Sequence, residues 1–136
     1  MTESNVDSDE FADLRDLKVM VVDDSKTIRS SAKSLLSKAG CEVETSSDGF
    51  EALAKIVEFK PDIIFVDIMM PRLDGYQTCA LIKHNDTFKT TPVIMLSSKD
   101  SIFDKARGRV VGSQAYLTKP FSREDLFEAI QQHVKR

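Results

Sequence analysis

Short apolar runs alternate with stretches of helical periodicity along most of the chain. The stretches that predict strands cover 18–22, 42–46, 62–67, 92–98 and 114–118; the first, third and fourth are continuously apolar, whereas 42–46 alternates. After each of them, apolar residues recur at every third or fourth position, which is typical of an amphipathic helix. A strand followed by a helix, repeated five times, favours a parallel sheet with helices on both faces and right-handed crossovers.

Turn and capping residues agree with this order of elements. The second helical stretch ends before Pro61, and Ser122 with Asp125 forms a near capping box at the start of the last helix. The fourth helix is predicted over 101–110. The sequence therefore predicts an α/β fold, a doubly wound five-stranded parallel sheet with five helices.

Charge divides the chain into an acidic segment and a nearly neutral body. Residues 1–16 hold six acidic residues and one basic residue, whereas the remaining residues carry a slight excess of basic ones. We expect a disordered acidic tail over 1–16 and one folded domain over 17–136. The near-neutral body gives no reason to expect a nucleic-acid partner.

The rest of the composition is that of an ordinary globular domain. Of the 136 residues, 41% are hydrophobic and 30% are charged, which suits one domain with its own core. No apolar run approaches the ~20 residues that span a bilayer, so we expect no membrane insertion. Cys41 and Cys79 lack the spacing of metal ligands, and we interpret them as reduced thiols of a cytoplasmic protein.

Polar side chains stand at the ends of four predicted strands. Asp23 and Asp24 end the first strand, Asp67 ends the third, Ser97 ends the fourth, and Lys119 follows the fifth. Because open parallel sheets bind ligands beyond the carboxyl ends of their strands, we expect these side chains to converge on one edge. Taken singly, the aspartates could equally be helix caps or turn residues.

Such a convergence would create an electrostatic conflict that points to a metal and a phosphoryl group. Three neighbouring carboxylates repel one another, and a divalent cation removes the repulsion. A set of oxygen ligands favours Mg²⁺ over zinc. A lysine and a hydroxyl beside that cation suit the oxygens of a phosphoryl group, and Asp67 would then be the nucleophile of aspartyl-phosphate chemistry.

Four motifs, taken in their order, carry a resemblance to a known family. They are VVDD (21–24), FVDIMMPRLDG (65–75), VIMLSS (93–98) and YLTKPF (116–121). Over about residues 17–136 the chain resembles a response-regulator receiver domain of the stand-alone, chemotaxis type, which implies a flavodoxin-like fold of the receiver type. The stretch 106–121 is most similar to the receivers of type IV pilus twitching-motility systems.

The resemblance implies a phosphorylation site with Mg²⁺ as its cofactor. Asp67 matches the phosphoacceptor, which is also a ligand of the metal. Asp24 matches a direct metal ligand, and Asp23 matches the residue that holds a metal-bound water. The backbone carbonyl of Met69 matches a further ligand, so its side chain is free to vary.

Other positions of the family are matched around the phosphoryl group. Ser97 stands where a hydroxyl binds the phosphoryl group, and Lys119 stands where a lysine pairs with it. The Lys119–Pro120 peptide bond is expected to be cis, which aims that lysine. Tyr116 matches an aromatic residue that turns inward when Ser97 is drawn toward the phosphoryl group.

Two further side chains are expected to set how long the acyl phosphate lasts. Met69 lies two residues after Asp67, and Lys99 lies two residues after Ser97, beside the path of the attacking water in this family. The Met69 side chain can only occupy space and exclude that water, and a charged Lys99 cannot accept a proton from it. We therefore expect slow hydrolysis.

The function implied by the resemblance is that of a signalling switch. A histidine kinase is expected to phosphorylate Asp67. The face formed by helix 4, strand 5 and helix 5 would then bind a downstream target, such as a pilus motor or regulator, and so control twitching motility. The chain is not expected to be an enzyme beyond catalysing its own phosphorylation and dephosphorylation.

Two other functions stay open on the sequence alone. A phosphohydrolase of the haloacid-dehalogenase type also forms an aspartyl-phosphate. It needs a second aspartate two residues after the nucleophile, where this chain has Met69, which cannot transfer a proton. A receiver-like module used only for protein contact, without phosphorylation, would not need the full set of site residues.

Overall fold

Five strands and five helices alternate in the computed structural model, which describes residues 14–99 and 103–134. The strands are β1 (Lys18–Val22), β2 (Glu42–Ser46), β3 (Ile63–Asp67), β4 (Val93–Ser98) and β5 (Ala115–Lys119). The helices are α1 (Lys26–Lys38), α2 (Gly49–Phe59), α3 (Gly75–His84), α4 (Lys105–Val111) and α5 (Arg123–His133). Among the described residues, none of the helices has the length and apolar character needed to cross a bilayer.

All five strands lie parallel in one sheet, in the order β2-β1-β3-β4-β5. This confirms the predicted doubly wound fold. The order changes direction between β1 and β3, which makes the edge beyond their carboxyl ends the topological switch point. The register aligns the strand ends, since Val22 pairs with Val66, and Asp67 pairs with Leu96.

The core is divided between the two faces of the sheet. Ile63 and Phe65 of β3 point into a cluster with α1 and α5, whereas Ile64 and Val66 point into a cluster with α2 and α3. Because successive strand residues point to opposite faces, a strand covered on both faces must be apolar at every position. This explains why the central strands are continuous apolar runs.

Side-chain caps define where the helices begin. Ser122 and Asp125 form the complete capping box that the sequence indicated for α5. The prediction for the fourth helix was wrong at its start, because α4 begins only at Lys105. The carboxylate of Asp104 accepts a hydrogen bond from the Arg107 N–H, and this cap sets the boundary. Residues 101 and 102, also assigned to this helix from the sequence, lie outside the described residues.

Leu14 belongs to the folded domain. Its side chain is completely buried in the cluster beneath α1 and α5, and its carbonyl accepts a hydrogen bond from the Cys41 thiol at 3.3 Å. The Asp16 N–H donates to the Gly40 carbonyl at 2.9 Å. The boundary expected after residue 16 is therefore too late, because Leu14 fills space in the core. The disorder expected for residues 1–13 concerns residues outside those described.

Removing residues 1–13 should leave the free energy of unfolding within about 1 kcal/mol of the wild type, the scale of a surface change. Leu14→Ala should lower it by about 2–5 kcal/mol, because the substitution leaves a cavity in the core. Urea unfolding followed by circular dichroism measures both. A Leu14→Ala variant as stable as the truncated chain would contradict this assignment of Leu14.

Candidate functional site

The carboxyl edge of the sheet collects the polar residues that the sequence singled out. Asp23 directly follows β1, Asp67 is the last residue of β3, Ser97 lies near the end of β4, and Lys119 ends β5. Asp23, Asp67 and Ser97 are buried, although each is polar. Asp24 is exposed beside them. Asp23, Asp67 and Ser97 are therefore buried polar groups that need partners within the protein, rather than solvated turn residues.

Lys119 joins two of the carboxylates. Its Nζ lies 3.0 Å from Oδ2 of Asp23 and 3.2 Å from Oδ1 of Asp67. Backbone amides fix the same carboxylates, because the Ser25 N–H donates to Oδ1 of Asp23 at 2.9 Å and the Met69 N–H donates to Oδ1 of Asp67 at 3.2 Å. The Lys119–Pro120 peptide bond is cis.

The electrostatics of this group are unbalanced. Burial, and then the negative charge of Asp23, raise the pKa of Asp67 to about 6, although Lys119 and the Met69 N–H act in the opposite direction. Burial tends to lower the pKa of Lys119, but hydrogen bonds and charges from Asp23 and Asp67 outweigh it and raise that pKa. One ammonium group thus serves two buried carboxylates, and the site favours an additional cation.

The three aspartates have the geometry of a hard-metal site. One carboxylate oxygen from each of Asp23, Asp24 and Asp67 lies within 4.8 Å of the others. The donors are all oxygens, which suits Mg²⁺ and its retained water molecules. The exposure of Asp24 leaves that side of the group open to solvent. The donor set therefore fits the expected metal.

Gly75 lets α3 begin directly against Asp67. A Cβ atom at this position would lie 2.5 Å from the carbonyl oxygen of Asp67 and 2.6 Å from Cα of Ile68. Its N–H donates to the Ile68 carbonyl at 3.1 Å. In the sequence, Gly75 is marked only as the last residue of the motif FVDIMMPRLDG (65–75). The packing role of Gly75 depends on a contact between backbones that no sequence pattern marks.

The remaining predicted positions lie around the cluster rather than in it. Met69 and Lys99 are exposed, and the Met69 side chain is 65% exposed. Tyr116 contacts the ring of Phe103, with ring centroids 4.4 Å apart. Phe103 in turn contacts Tyr76, and neither residue was singled out from the sequence. The only available signal was their aromatic type, which is equally typical of core residues.

Comparisons with known proteins agree on one family. The model of the response regulator receiver domain matches residues 19–131. Protein PilG of Pseudomonas aeruginosa is 72% identical over 118 residues, which cover 87% of each chain. The alkaline phosphatase synthesis transcriptional regulatory protein PhoP of Bacillus subtilis is 38% identical, and the match covers 88% of this chain but 49% of that protein.

A solved structure gives the same result. The chemotaxis protein CheY4 of Vibrio cholerae superposes with a TM-score of 0.83 at 38% sequence identity. The match covers 88% of this chain and 99% of that chain.

The raised pKa of Asp67 predicts that the metal-free protein loses stability as the pH rises. The folded-state value of about 6 exceeds the ordinary value of 3.8, so between these values the folded chain binds more protons than the unfolded chain. Relative to Asp67→Asn, the free energy of unfolding should therefore fall from about pH 4 to above pH 6, by up to about 3 kcal/mol. Urea unfolding in EDTA across this range measures it.

The control for this measurement is Asp86→Asn, because the Asp86 carboxylate is 97% exposed. This variant should follow the wild type at every pH. Parallel stability profiles for the wild type and Asp67→Asn would contradict the electrostatic argument.

Proposed function

This chain belongs to the response regulator receiver family, and we propose that it is a phosphorylation-dependent signalling protein whose Asp67 accepts a phosphoryl group from a histidine kinase. The observation that carries the proposal is the position of Asp67. It is a buried carboxylate at the switch point, 3.2 Å from the ammonium of Lys119 and within 4.8 Å of the Asp23 and Asp24 oxygens.

The similarity to PilG supports a more specific role. Identity of 72% over 87% of both chains is far above the 38% shared with the PhoP regulator. We propose that this chain acts in a chemosensory two-component system that controls type IV pilus twitching motility. Cys41 and Cys79 are buried thiols, which suit the reducing cytoplasm, where we propose that the chain works.

In the proposed phosphotransfer, a carboxylate oxygen of Asp67 attacks the phosphorus of the donor. The phosphorus–nitrogen bond of the donor's phosphohistidine then breaks. Lys119 and the Met69 N–H both contact Oδ1 of Asp67, so we assign the attack to Oδ2, which neither of these contacts involves. The two contacts fix the plane of the carboxylate and so orient the nucleophile.

Lys119 and Ser97 are proposed to bind the transferred phosphoryl group. The ammonium of Lys119 already lies at hydrogen-bond distance from Asp67, where it can exchange a carboxylate oxygen for a phosphoryl oxygen. Ser97 stands on β4, next to β3, and is buried at the same edge. Its hydroxyl is the proposed donor to a second phosphoryl oxygen.

The proposed Mg²⁺ ligands are Asp24, Asp67 and the backbone carbonyl of Met69, with Asp23 acting through a bound water. When bound, the ion supplies positive charge that offsets the three carboxylates and the phosphoryl oxygens. Asp23 and Asp24 differ in exposure, which suits different roles. The buried Asp23 is held by Lys119 and Ser25, whereas Asp24 faces solvent.

The two rival functions receive less support. Phosphohydrolase chemistry requires a proton donor near the leaving group, and the residue two positions after Asp67 is Met69, whose exposed thioether cannot supply one. A module without phosphorylation would have no use for buried carboxylates paired to Lys119, because uncompensated buried charge costs stability.

The face formed by α4, β5 and α5 is the proposed site for a downstream target. On this face a groove of about 360 Å³ opens between α4 and β5, lined by residues that include Lys105, Arg109 and Tyr116. Val110 is exposed on the adjoining helix surface. A groove with basic and aromatic side chains suits a protein segment, and we propose that the target is a pilus motor or regulator.

Incubation with acetyl phosphate and Mg²⁺ should add one phosphoryl group to the wild type, detected by intact mass. Asp67→Asn keeps the shape of the side chain but removes the nucleophile, so it should gain none. Asp86→Asn, at an exposed carboxylate, is the control and should react like the wild type. If Asp67→Asn gained a phosphoryl group at the same rate and to the same extent as the wild type, the assignment of Asp67 as the phosphoacceptor would be wrong.

The acyl phosphate should decay slowly, because Met69 and Lys99 offer no acceptor to orient the attacking water. Met69→Asn together with Lys99→Glu should speed decay by about tenfold, which corresponds to roughly 1.4 kcal/mol of barrier. Both wild-type side chains are exposed, so neither substitution should disturb the fold. As a control, the double variant Val57→Asn, Lys89→Glu introduces the same two residue types at exposed positions elsewhere. Its acyl phosphate should decay at the wild-type rate. Unchanged or slower decay in the Met69, Lys99 double variant would contradict the prediction.

A further inference from the structure

Three aromatic rings form a continuous stack between α3 and β5. The ring centroids of Tyr76 and Phe103 lie 6.0 Å apart, at an interplanar angle of 19°. Those of Phe103 and Tyr116 lie 4.4 Å apart, at an angle of 20°. Tyr116 is nonetheless 39% exposed. Its ring therefore lies at the surface with one face held against Phe103.

Tyr76 also ties α3 to the start of α4. Its hydroxyl oxygen accepts a hydrogen bond from the N–H of Asp104, the N-cap of α4, at 2.9 Å. The guanidinium of Arg107 lies 4.3 Å from the centroid of the same ring and 3.6 Å from a carboxylate oxygen of Asp74. The first turns of α3 and α4 are thus joined through one phenol ring.

Phe103 is fixed by α4 as well. A Cβ atom at Gly108 would lie 2.6 Å from Cζ of Phe103, so the ring packs directly on this helix. A movement of α4 relative to β5 must therefore change the contact between Phe103 and Tyr116.

The stack begins at Tyr76, one residue after Gly75, which supports the proposed phosphorylation site. Gly75, which precedes Tyr76, packs against the backbone of Asp67 so closely that a Cβ atom would not fit. A displacement of the Asp67 backbone therefore also displaces Tyr76. This connection runs through α3 and does not involve β4.

We propose that Tyr76 and Phe103 are positioning residues that couple the state of Asp67 to the ring of Tyr116. The proposal rests on the proposed function. The stack holds Tyr116 at the surface in the unphosphorylated chain. Phosphorylation moves the first turn of α3 and with it Tyr76, which loosens the contact between Phe103 and Tyr116. This route is separate from any movement of Ser97 and acts in addition to it.

Tyrosine nitration by tetranitromethane, located by peptide mass, measures this coupling. The chain has two tyrosines, the buried Tyr76 and the exposed Tyr116, and peptide mass assigns the nitration to each of them. Rates are compared with and without beryllium trifluoride, a tetrahedral phosphoryl mimic, in the presence of Mg²⁺. In the wild type, Tyr116 should react more slowly with the mimic, because its ring turns inward.

Phe103→Leu removes the stacked ring but keeps an apolar side chain. In this variant, the nitration rate of Tyr116 without the mimic divided by its rate with the mimic should fall at least twofold. Tyr116 is no longer held outward, so it reacts more slowly even without the mimic. If Phe103 only shielded Tyr116, its removal would raise the rate without the mimic and increase the ratio. An unchanged or increased ratio would overturn the proposal.

Phe59→Leu is the matched control, because Phe59 is also partly buried against the same core cluster as Phe103. Phe59→Leu should show the same ratio as the wild type. A fall as large as that in Phe103→Leu would overturn the proposal. Tyr76→Leu should lower the ratio. Tyr76→Phe retains the stacked ring, so its ratio should stay close to the wild-type value. Ser97→Ala should lower the ratio only in part. Ser97→Ala together with Phe103→Leu should bring the ratio close to one, because both proposed routes to Tyr116 are then removed.

Intact mass after treatment with acetyl phosphate separates this proposal from the function on which it rests. Phe103→Leu and Tyr76→Leu should both gain the phosphoryl group like the wild type. A wild type that gains none would overturn the proposed function together with the coupling. Normal phosphorylation with an unaltered Tyr116 ratio in Phe103→Leu would overturn the coupling alone.

Discussion

One ammonium group lies between two buried carboxylates, and the chemistry of the molecule follows from that imbalance. Lys119 is 3.0 Å from Asp23 and 3.2 Å from Asp67, which are both almost fully removed from water. Burying a charged group costs several kcal/mol unless it is paired, and here one cation serves two anions. The raised pKa of Asp67 expresses the part of that cost which Lys119 does not offset. Additional positive charge at this edge is therefore stabilising.

The sheet order makes this arrangement possible. Asp23 and Asp67 follow neighbouring strands, β1 and β3, whereas Lys119 ends β5 at the far edge of the sheet. Strands lie roughly 4.8 Å apart, so side chains in the body of β1 and β5 could not touch. Only where the chain leaves the sheet can Lys119 reach across the end of β4 to both carboxylates. The site is consequently a property of the parallel topology, because an antiparallel neighbour would bring its amino end to this edge.

The sequence predicted the parts of the molecule that depend on one element at a time. Continuous apolar strands and periodic helices predicted the layers. The strand-end carboxylates predicted that these side chains converge on one edge, because a parallel sheet brings its carboxyl ends together. The errors occurred where a local contact overrides the pattern. Asp104 begins α4 later than its periodicity suggested, and Leu14 packs into the core although it lies in an acidic segment. The stack of Tyr76 on Phe103 joins distant positions through side-chain conformation, which residue type alone does not encode.

A buried site can signal only if a change in its state alters the protein surface. Whether the surface responds depends on the strengths of the contacts between the site and that surface. The bonds that the proposed phosphoryl group would make to Lys119 and Ser97 are charge-assisted and strong. The contact between Phe103 and Tyr116 is a single aromatic stack, of about 0.5–1.5 kcal/mol beyond its buried area. A strong local event acting on a weak remote contact can shift the population between two states, whereas a tightly locked Tyr116 would not respond. The partial exposure of Tyr116 fits this requirement, because a ring packed on one face can leave its place without opening the core.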